Sequence, residues 1–418
     1  MDTRSTGDST VDRSSGRSFA TPPSTGTFMD FGLSVEQQLI VETVRRFVQT
    51  ELIPLEDEIE ASGRLDETKA QAIFAKSRAL GLYAMNIPER YGGGGLSAVD
   101  TMLVEEQFGH TKDILIRRAF GNVYESLLEG TAAQKERWLG PAVRGERTCS
   151  IAITEPDAGS DAGAIKTRAA RRDGGWTLSG SKHFISDGLF SDFFIVSAVT
   201  DPEARPRHVS LFLVDKAMPG VVIGRNQAMM GLTGTSHVEL AFHDVELAPE
   251  HLLGREGEGL ALAYATLGRV RLGQVGARAV GKASRLLTLM TGYAGERRQF
   301  GKAIGEFQMV QQMIADSVVE INRARLLLLR AAWEIDQGRD ARDWISMVKI
   351  DAAETLGRVA DRAVQVFGGM GYSRDMPIEA LYRDSRIYRI FDGTSEIHRV
   401  VVARAALKRG AALWDIGA

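Results

Sequence analysis

The sequence predicts an α+β multidomain chain, with a helical N-terminal domain, a small central antiparallel β-barrel or sandwich, and a C-terminal four-helix bundle. Three observations predict it. Apolar residues recur with a 3.6-residue period up to about Glu146. After Thr148 the pattern changes to short runs rich in β-branched and aromatic residues: CSIAIT, GGWTLSG, FFIVSAV, VSLFLV and HVELAFHDV. From about Gly254 the helical period returns in segments joined by short Gly-, Pro- or Asp-bearing links, the pattern of an antiparallel bundle. The expected divisions are a tail over 1–28, helices over 29–149, the β domain over 150–253 and the bundle over 254–418.

The elements follow in order. The first 28 residues are rich in Ser, Thr, Gly and Pro and bury too little apolar surface to offset chain entropy, so a disordered tail is expected. They lack the hydrophobic centre of a secretory signal, and Asp2, Asp8 and Asp12 argue against a transit peptide. Ser34 and Gln37 form a capping-box pattern, and Ile40, Val44, Phe47 and Val48 then share one helical face until Pro54. Glu67–Leu80 and Ala98–Gly109 carry the same period. Between them, Gly92 to Gly95 form a mobile loop or turn, or a lid over a pocket. The stretch to Glu146 again reads as helix, with Trp138 and Pro141 near its boundary. Gly174-Gly175 marks a hairpin turn in the β domain. Leu260–Leu289, Gln308–Gln337, Asp343–Phe367 and Ser395–Leu407 are the bundle helices.

Composition narrows the functional classes. The chain has 418 residues and 44% hydrophobic content, enough for two or three cored domains. A net charge of -3 with interspersed signs lacks the basic face that nucleic acid requires. No apolar run reaches membrane-spanning length. One cysteine, Cys149, excludes an internal disulfide framework and suits a reducing compartment, the cytoplasm before the mitochondrial matrix. The seven histidines show no metal-ligand spacing, His398 reads as a solvated or interface residue, and Cys149 has no neighbouring base to make it a nucleophile.

Two segments invite chemistry. AITEPDAGSDAGA, Ala152 to Ala164, leaves a strand through Gly159, Ser160 and Asp161. Glycine there lets backbone N–H groups approach a phosphate, Ser160 adds a hydroxyl, and Thr154 can donate to a carbonyl edge. An ordinary strand-exit loop has the same composition. The second segment is RIFDGTSEIHRVVVAR, Arg389 to Arg404. Asp392 lies between the apolar Ile390-Phe391 and a Gly-Thr-Ser turn, where a buried acid is costly. Either that turn is exposed or the acid has a task.

Five segments in order resemble the acyl-CoA dehydrogenase family. They are Ala152 to Asp161, KHFIS (Lys182 to Ser186), RRQFGKAIGEFQ (Arg297 to Gln308), Gln365 to Tyr372 with Asp375 and Pro377, and the Asp392 segment. The resemblance spans from about Met29 to the C-terminus. It implies FAD bound between the β domain and the bundle, an acyl-CoA substrate, an electron-transferring flavoprotein as acceptor, and a homotetramer or dimer. Thr154 would meet the flavin pyrimidine edge, and Ser160 the FAD pyrophosphate and the pantetheine arm. Phe184, Ile185 and Ser186 would line the flavin, with Phe and Ser where relatives often have Trp and Thr. Arg297, Gln308, Gln365, Gly368 and Gly369 would reach the FAD of a neighbouring subunit. Thr394 and Glu396 would add cofactor contacts, and Arg271 and Gly393 substrate contacts. The glycines follow a helix rather than a strand, so no dinucleotide fingerprint of the Rossmann type is implied.

In the family the residue before this Gly-Thr is commonly Glu, the base that removes the α-proton of the thioester. Here it is Asp392, and the alternative family position holds Val270, which accepts no proton. The implied activity is α,β-dehydrogenation of an acyl-CoA to a trans-2-enoyl-CoA. The shorter acid favours a bulky acyl group. Rival readings are a flavin oxidase or monooxygenase of the nitroalkane-oxidase kind, a dehydrogenase of carrier-protein thioesters, and a flavin-free binding homologue.

Overall fold

The computed structural model describes residues 32–121, 123–204 and 207–415. The expected tail over 1–28 lies outside the described residues. The chain runs helices, sheet, helices. Val35–Phe47 begins at Ser34, whose hydroxyl accepts from the Gln37 N–H while Gln37 returns the bond, the capping box read from the sequence. Glu67–Ala79 and Ala98–Phe108 also form as expected. The stretch toward Glu146 is not one helix. Asp113–Ala119 ends before Gly121 and a short turn spans Glu125–Glu129; after Gly130 the chain is helical again over 132–143, through a π turn at Lys135–Leu139 that carries Trp138, with Pro141 near the helix end as expected.

The four glycines form a turn whose last member, Gly95, borders a cavity. Leu96 and Gly95 donate their N–H groups to the Met85 and Ile87 carbonyls, 3.0 and 2.9 Å away. A Cβ on Gly93 would sit 2.1 Å from the Ile87 oxygen, so this loop is folded tightly onto the preceding backbone.

The β domain is one eight-stranded sheet: β1 Cys149–Ala152, β2 Arg168–Arg172, β3 Gly175–Ser186, β4 Phe193–Asp201, β5 His208–Asp215, β6 Val221–Asn226, β7 His237–Leu247 and β8 Leu252–Leu253. Their order is β6-β7-β3-β2-β4-β5-β8, with β1 beside β4. The expected antiparallel pairing holds for most strands, but β1 and β2 both meet β4 in parallel, so the sheet is mixed. β4 explains the unbroken apolar run FFIV. Phe193 and Ile195 pack with Trp138 and Leu139 of the N-terminal domain, whereas Phe194 and Val196 fill the other face with Trp176 and Phe212. The hairpin turn lies one residue earlier than expected: Arg172 pairs with Gly175 across Asp173-Gly174.

The last third is helical. Gly259–Val270 passes through a wider π turn at Arg271–Ala277 into Arg278–Glu296, where the sequence suggested one regular helix. Gln308–Asp336, Arg342–Phe367 and Ser395–Arg409 complete the long helices, with Ile378–Ser385 an additional short one. The N-terminal helices are bolted to this bundle. A Cβ on Gly281 would lie 2.0 Å from the Glu106 carbonyl oxygen, so the two helices touch backbone to backbone. Around that contact Arg278 grips Glu105 and Arg285 grips Glu56 through paired bonds of 2.7–3.2 Å, and Lys282 donates to the Thr111 carbonyl at 2.6 Å. Buried charges satisfied this way fix the relative position of the N-terminal domain and the bundle.

Candidate active site

Asp392 occupies the joint of these parts. The Arg386–Arg389 turn ends, Ile390 and Phe391 follow, and the chain enters two successive left-handed residues, Asp392 at φ +53° and Gly393 at φ +88°. Short polar residues tolerate that conformation better than bulky ones. Gly393 is required twice over, by its φ and because a Cβ would lie 2.8 Å from His398 Nε2. Thr394 then caps Ser395–Arg409 by accepting from the Ile397 N–H at 3.2 Å.

The backbone of Asp392 is pinned. Its carbonyl oxygen accepts from Arg271 Nε at 2.7 Å and from His398 Nε2 at 3.1 Å. A carbonyl only accepts, so Nε2 carries the imidazole proton and Nδ1 accepts from the Ser346 hydroxyl at 3.1 Å. Burial lowers the His398 pKa to about 4, keeping it neutral in this role. His398 is thus buried and structural to the turn, not the solvated residue its position suggested. Arg271 opens the π turn, which swings its guanidinium toward residue 392.

The Asp392 carboxyl is raised above its ordinary range by burial, with Arg271, Lys349 and Arg117 pulling the other way. Helix-start electrostatics do not outweigh this desolvation. Arg117 pairs with Asp187 at 3.0 Å, and Asp187 directly follows Ser186. That pair links the Asp392 turn to the end of β3. Tyr124 is buried in the same place, and burial raises its phenol.

β3 carries the second group of expected residues. The strand is irregular between Lys182 and Ile185, and Phe184, at φ +57°, keeps 48% of its surface exposed. Its ring stacks on His183 at 4.0 Å between centroids. Ile185 is buried in the β core, so only its backbone can border a cofactor there. The His183 N–H donates to the Thr154 carbonyl at 2.8 Å, which brings β3 and the Thr154 loop together. Beneath that loop, Lys182 is fully buried and donates to Glu155 (2.8 Å), the Ile153 carbonyl (3.0 Å) and Ser197 (3.0 Å). Glu155 also accepts from the Lys166 and Thr167 N–H groups, so it ties the exit of β1 to the entry of β2 and closes the segment that carries Ser160.

The Ser186 hydroxyl lies 3.2 Å from His237 Nδ1, and burial holds His237 neutral with a pKa of about 4. The hydroxyls of Thr154 and Ser160 have no hydrogen-bond partner among the described residues, and nothing lies within 4 Å of a Cβ built on Gly159. An exposed aromatic face, uncommitted hydroxyls and an open glycine suit a flat heteroaromatic ring with a phosphate tail.

The remaining expected residues stand apart. Arg297, Gln308, Gln365, Gly368, Gly369 and Glu396 are exposed on the bundle. The side chains of Arg297, Gln308 and Gln365 have no partner among the described residues, the condition for meeting something beyond them. Cys149 is buried in β1, and desolvation pushes its thiol up to about 12. Among the described residues no His, Cys, Asp and Glu cluster could hold a metal.

Two cavities lie where the N-terminal domain meets the helix Gly259–Val270, and Asp392 lines neither. The smaller, about 40 Å³, is lined by Tyr124, Val270, Phe120 and Met102 among others. The larger, about 540 Å³, opens beyond it, and both are bordered by Asn86, Glu125 and Arg269.

Known proteins match along almost the whole chain. Residues 34–146, 150–245 and 257–407 match the family models described as the N-terminal, middle and C-terminal domains of acyl-CoA dehydrogenase. The chain is 33% identical over 381 residues to the short-chain-specific acyl-CoA dehydrogenase of Clostridium acetobutylicum, covering 90% of this chain and 99% of that one. It is 34% identical over 387 residues to subunit CarC of the caffeyl-CoA reductase-Etf complex of Acetobacterium woodii, covering 90% and 99%. A solved FAD complex of PigA superposes with a TM-score of 0.83 at 31% identity, covering 91% and 100%.

Proposed function

The chain belongs to the acyl-CoA dehydrogenase family, and from that premise we propose how its own residues carry out FAD-dependent dehydrogenation of an acyl-CoA. Asp392 is the base, and the observation that carries this is its pinned, charge-balanced turn beside the β3 wall. Burial makes its carboxylate a stronger base, and the three nearby cations keep it ionised.

Thr154, Ser160, Phe184 and Ser186 would hold FAD on the β side, with the Ile185 backbone alongside. Bound there, FAD supplies the acceptor for the β-hydride. The protein's part is to place the thioester and move the α-proton. The Asp392 N–H, which donates to no carbonyl among the described residues, is free to polarise the thioester oxygen. Asp392 then takes the α-proton, and Arg271 and Lys349 offset the negative charge that builds on the substrate. The product is a trans-2-enoyl thioester. Tyr124, whose phenol feels the Asp392 charge, lines the smaller cavity, which supports entry of the acyl chain from that side, with a bulky group reaching the larger one. CarC is named as a reductase; on the same residues the reverse reaction has protonated Asp392 return its proton to the α-carbon.

Arg297, Gln308, Gln365, Gly368 and Gly369 complete the cofactor site of a neighbouring copy, which makes the working form a homotetramer or dimer. Thr394 and Glu396 stand at the start of the last helix, near the same cofactor, and Gly393 and Arg271 meet the substrate. An electron-transferring flavoprotein removes the electrons, as the Etf partnership of CarC suggests. The lone buried thiol suits the cytoplasm.

The deciding experiment is anaerobic mixing of the FAD-loaded protein with straight, branched and cyclic acyl-CoAs. Bleaching of the flavin band by at least one is expected. A protein that stays colourless with added FAD, or a flavin that none of the panel bleaches, overturns the reading. Oxygen uptake undiminished without a flavoprotein acceptor would instead indicate an oxidase.

A further inference from the structure

Lys349 is fully buried, and its ammonium has no hydrogen-bond partner among the described residues. An ammonium carries three donors and loses its hydration on burial, so this arrangement costs stability. The helix Arg342–Phe367 had room for an apolar residue here, since Val348, Ala352 and Ala353 around it are all buried. A group kept at such a cost and not spent on packing points to function.

Its position says which function. Ser346 stands three residues earlier on the same helical face and holds His398, which holds the Asp392 carbonyl. Lys349 is therefore beneath the Asp392 turn, and the Ser395 hydroxyl that follows the turn is also buried and unpartnered. The charges facing Asp392 are Arg271 from the π turn, Lys349 from this helix and Arg117 from Asp113–Ala119, with Tyr124 and neutral His398 completing the titratable set. Arg117 is already paired with Asp187. Asp392, Glu396 and Glu354 attract the Lys349 ammonium, and Arg271 repels it.

We propose that Lys349 is a positioning residue for the reaction: its buried, unpaired ammonium holds Asp392 ionised and, once the proton has moved, faces the negative charge left on the thioester. This rests on Asp392 being the base. Before proton transfer Arg271 and Lys349 face one carboxylate. Afterwards that acid is neutral and both cations act on the substrate, with no reorganisation required.

The sign of the stability effect is fixed. Burial lowers the Lys349 pKa to about 8 from an unfolded value of 10.5. The unfolded chain then binds more protons between those values, so wild-type stability rises with pH across that window and is lowest below it. Lys349→Met removes the cost. Its melting temperature should exceed the wild type's at pH 7, and the gap should narrow toward pH 10. This arm needs no substrate. In the FAD-loaded enzyme, Lys349→Met should retain flavin while the acid limb of kcat/KM moves to higher pH. The loss should be on the order of tenfold greater at the acid end than at pH 8. Lys349→Arg, which keeps the charge, should leave the limb in place, and Lys349→Gln repeats the comparison if Met is not accommodated.

An unmoved limb in flavin-replete Met and Gln variants overturns the proposal. So does a lower melting temperature in both, which would make Lys349 a structural group. A wild type that no acyl-CoA bleaches strikes the acyl-CoA reading itself, and the melting comparison then still decides whether Lys349 is held at a cost.

Discussion

Asp392→Asn separates the chemistry from the fold. Asn matches Asp in shape and tolerates the left-handed backbone at φ +53°. The bonds that Arg271 and His398 make are to the backbone carbonyl, 2.7 and 3.1 Å away, so the substitution leaves them intact. What disappears is the proton acceptor. A placed general base contributes roughly 10²–10⁴ in rate, which corresponds to about 2.7–5.5 kcal/mol of barrier. Stability should move the other way. The folded Asp392 pKa lies above its unfolded value, so the stability this group contributes is present at low pH and lost as pH rises through the folded value. At neutral pH the wild type carries that deficit and the Asn variant does not. The expected variant therefore binds FAD normally, melts at the same or a slightly higher temperature, and is bleached by a good substrate at least ~100-fold more slowly in anaerobic stopped flow. Bleaching within a few-fold of wild type, with flavin content equal, would remove Asp392 as the base.

Three further outcomes follow from named contacts. Arg271→Lys loses the fork that reaches the Asp392 carbonyl at 2.7 Å; a displacement of ~1 Å at the base should lower kcat by on the order of 100-fold with little change in flavin content. Lys182→Met leaves Glu155 without the buried cation 2.8 Å away and frees the Ile153 carbonyl, so urea unfolding should show a loss of about 3 kcal/mol, and titration with FAD a weaker affinity. Arg285→Met strips Glu56 of two of its three bonds of 2.7 Å, leaving only the Thr111 hydroxyl, and should also cost about 3 kcal/mol in urea unfolding, but without altering FAD affinity, because that pair joins the N-terminal helices to the bundle.

Much of the fold was legible because helices and strands announce themselves over a few residues. The Ser34 cap and the helices Gln308–Asp336 and Arg342–Phe367 begin and end within a residue or so of their periodic segments. β2 and β6 were missed for the same local reason: the polar RAARR and the short VVIGRN carry little alternation, and pairing with β3 and β7 makes them strands. The π turn was missed because Arg271–Ala277 keeps a helical composition. Its wider winding comes with close packing, where a Cβ on Gly276 would lie 2.7 Å from Val348.

The candidate site divides along the same line. The sequence by itself determined the three-part order of elements and the segments bearing Thr154, Ser160, Phe184 and Asp392, since each is a contiguous stretch whose chemistry is written in neighbouring residues. Only the tertiary structure showed what surrounds Asp392. Arg271 is 121 positions away, and Ser346 lies 52 positions from the histidine it steadies. Lys349, Arg117 and His237 carry no local sequence signal; the fold buries Lys349 and His237 and sets Arg117 against Asp187. Proton affinity depends on burial and on charges acting through space, and neither is a property of adjacent residues in a chain. A local pattern can therefore nominate an acid, but the three-dimensional arrangement of cations around it decides whether that acid can serve as a base.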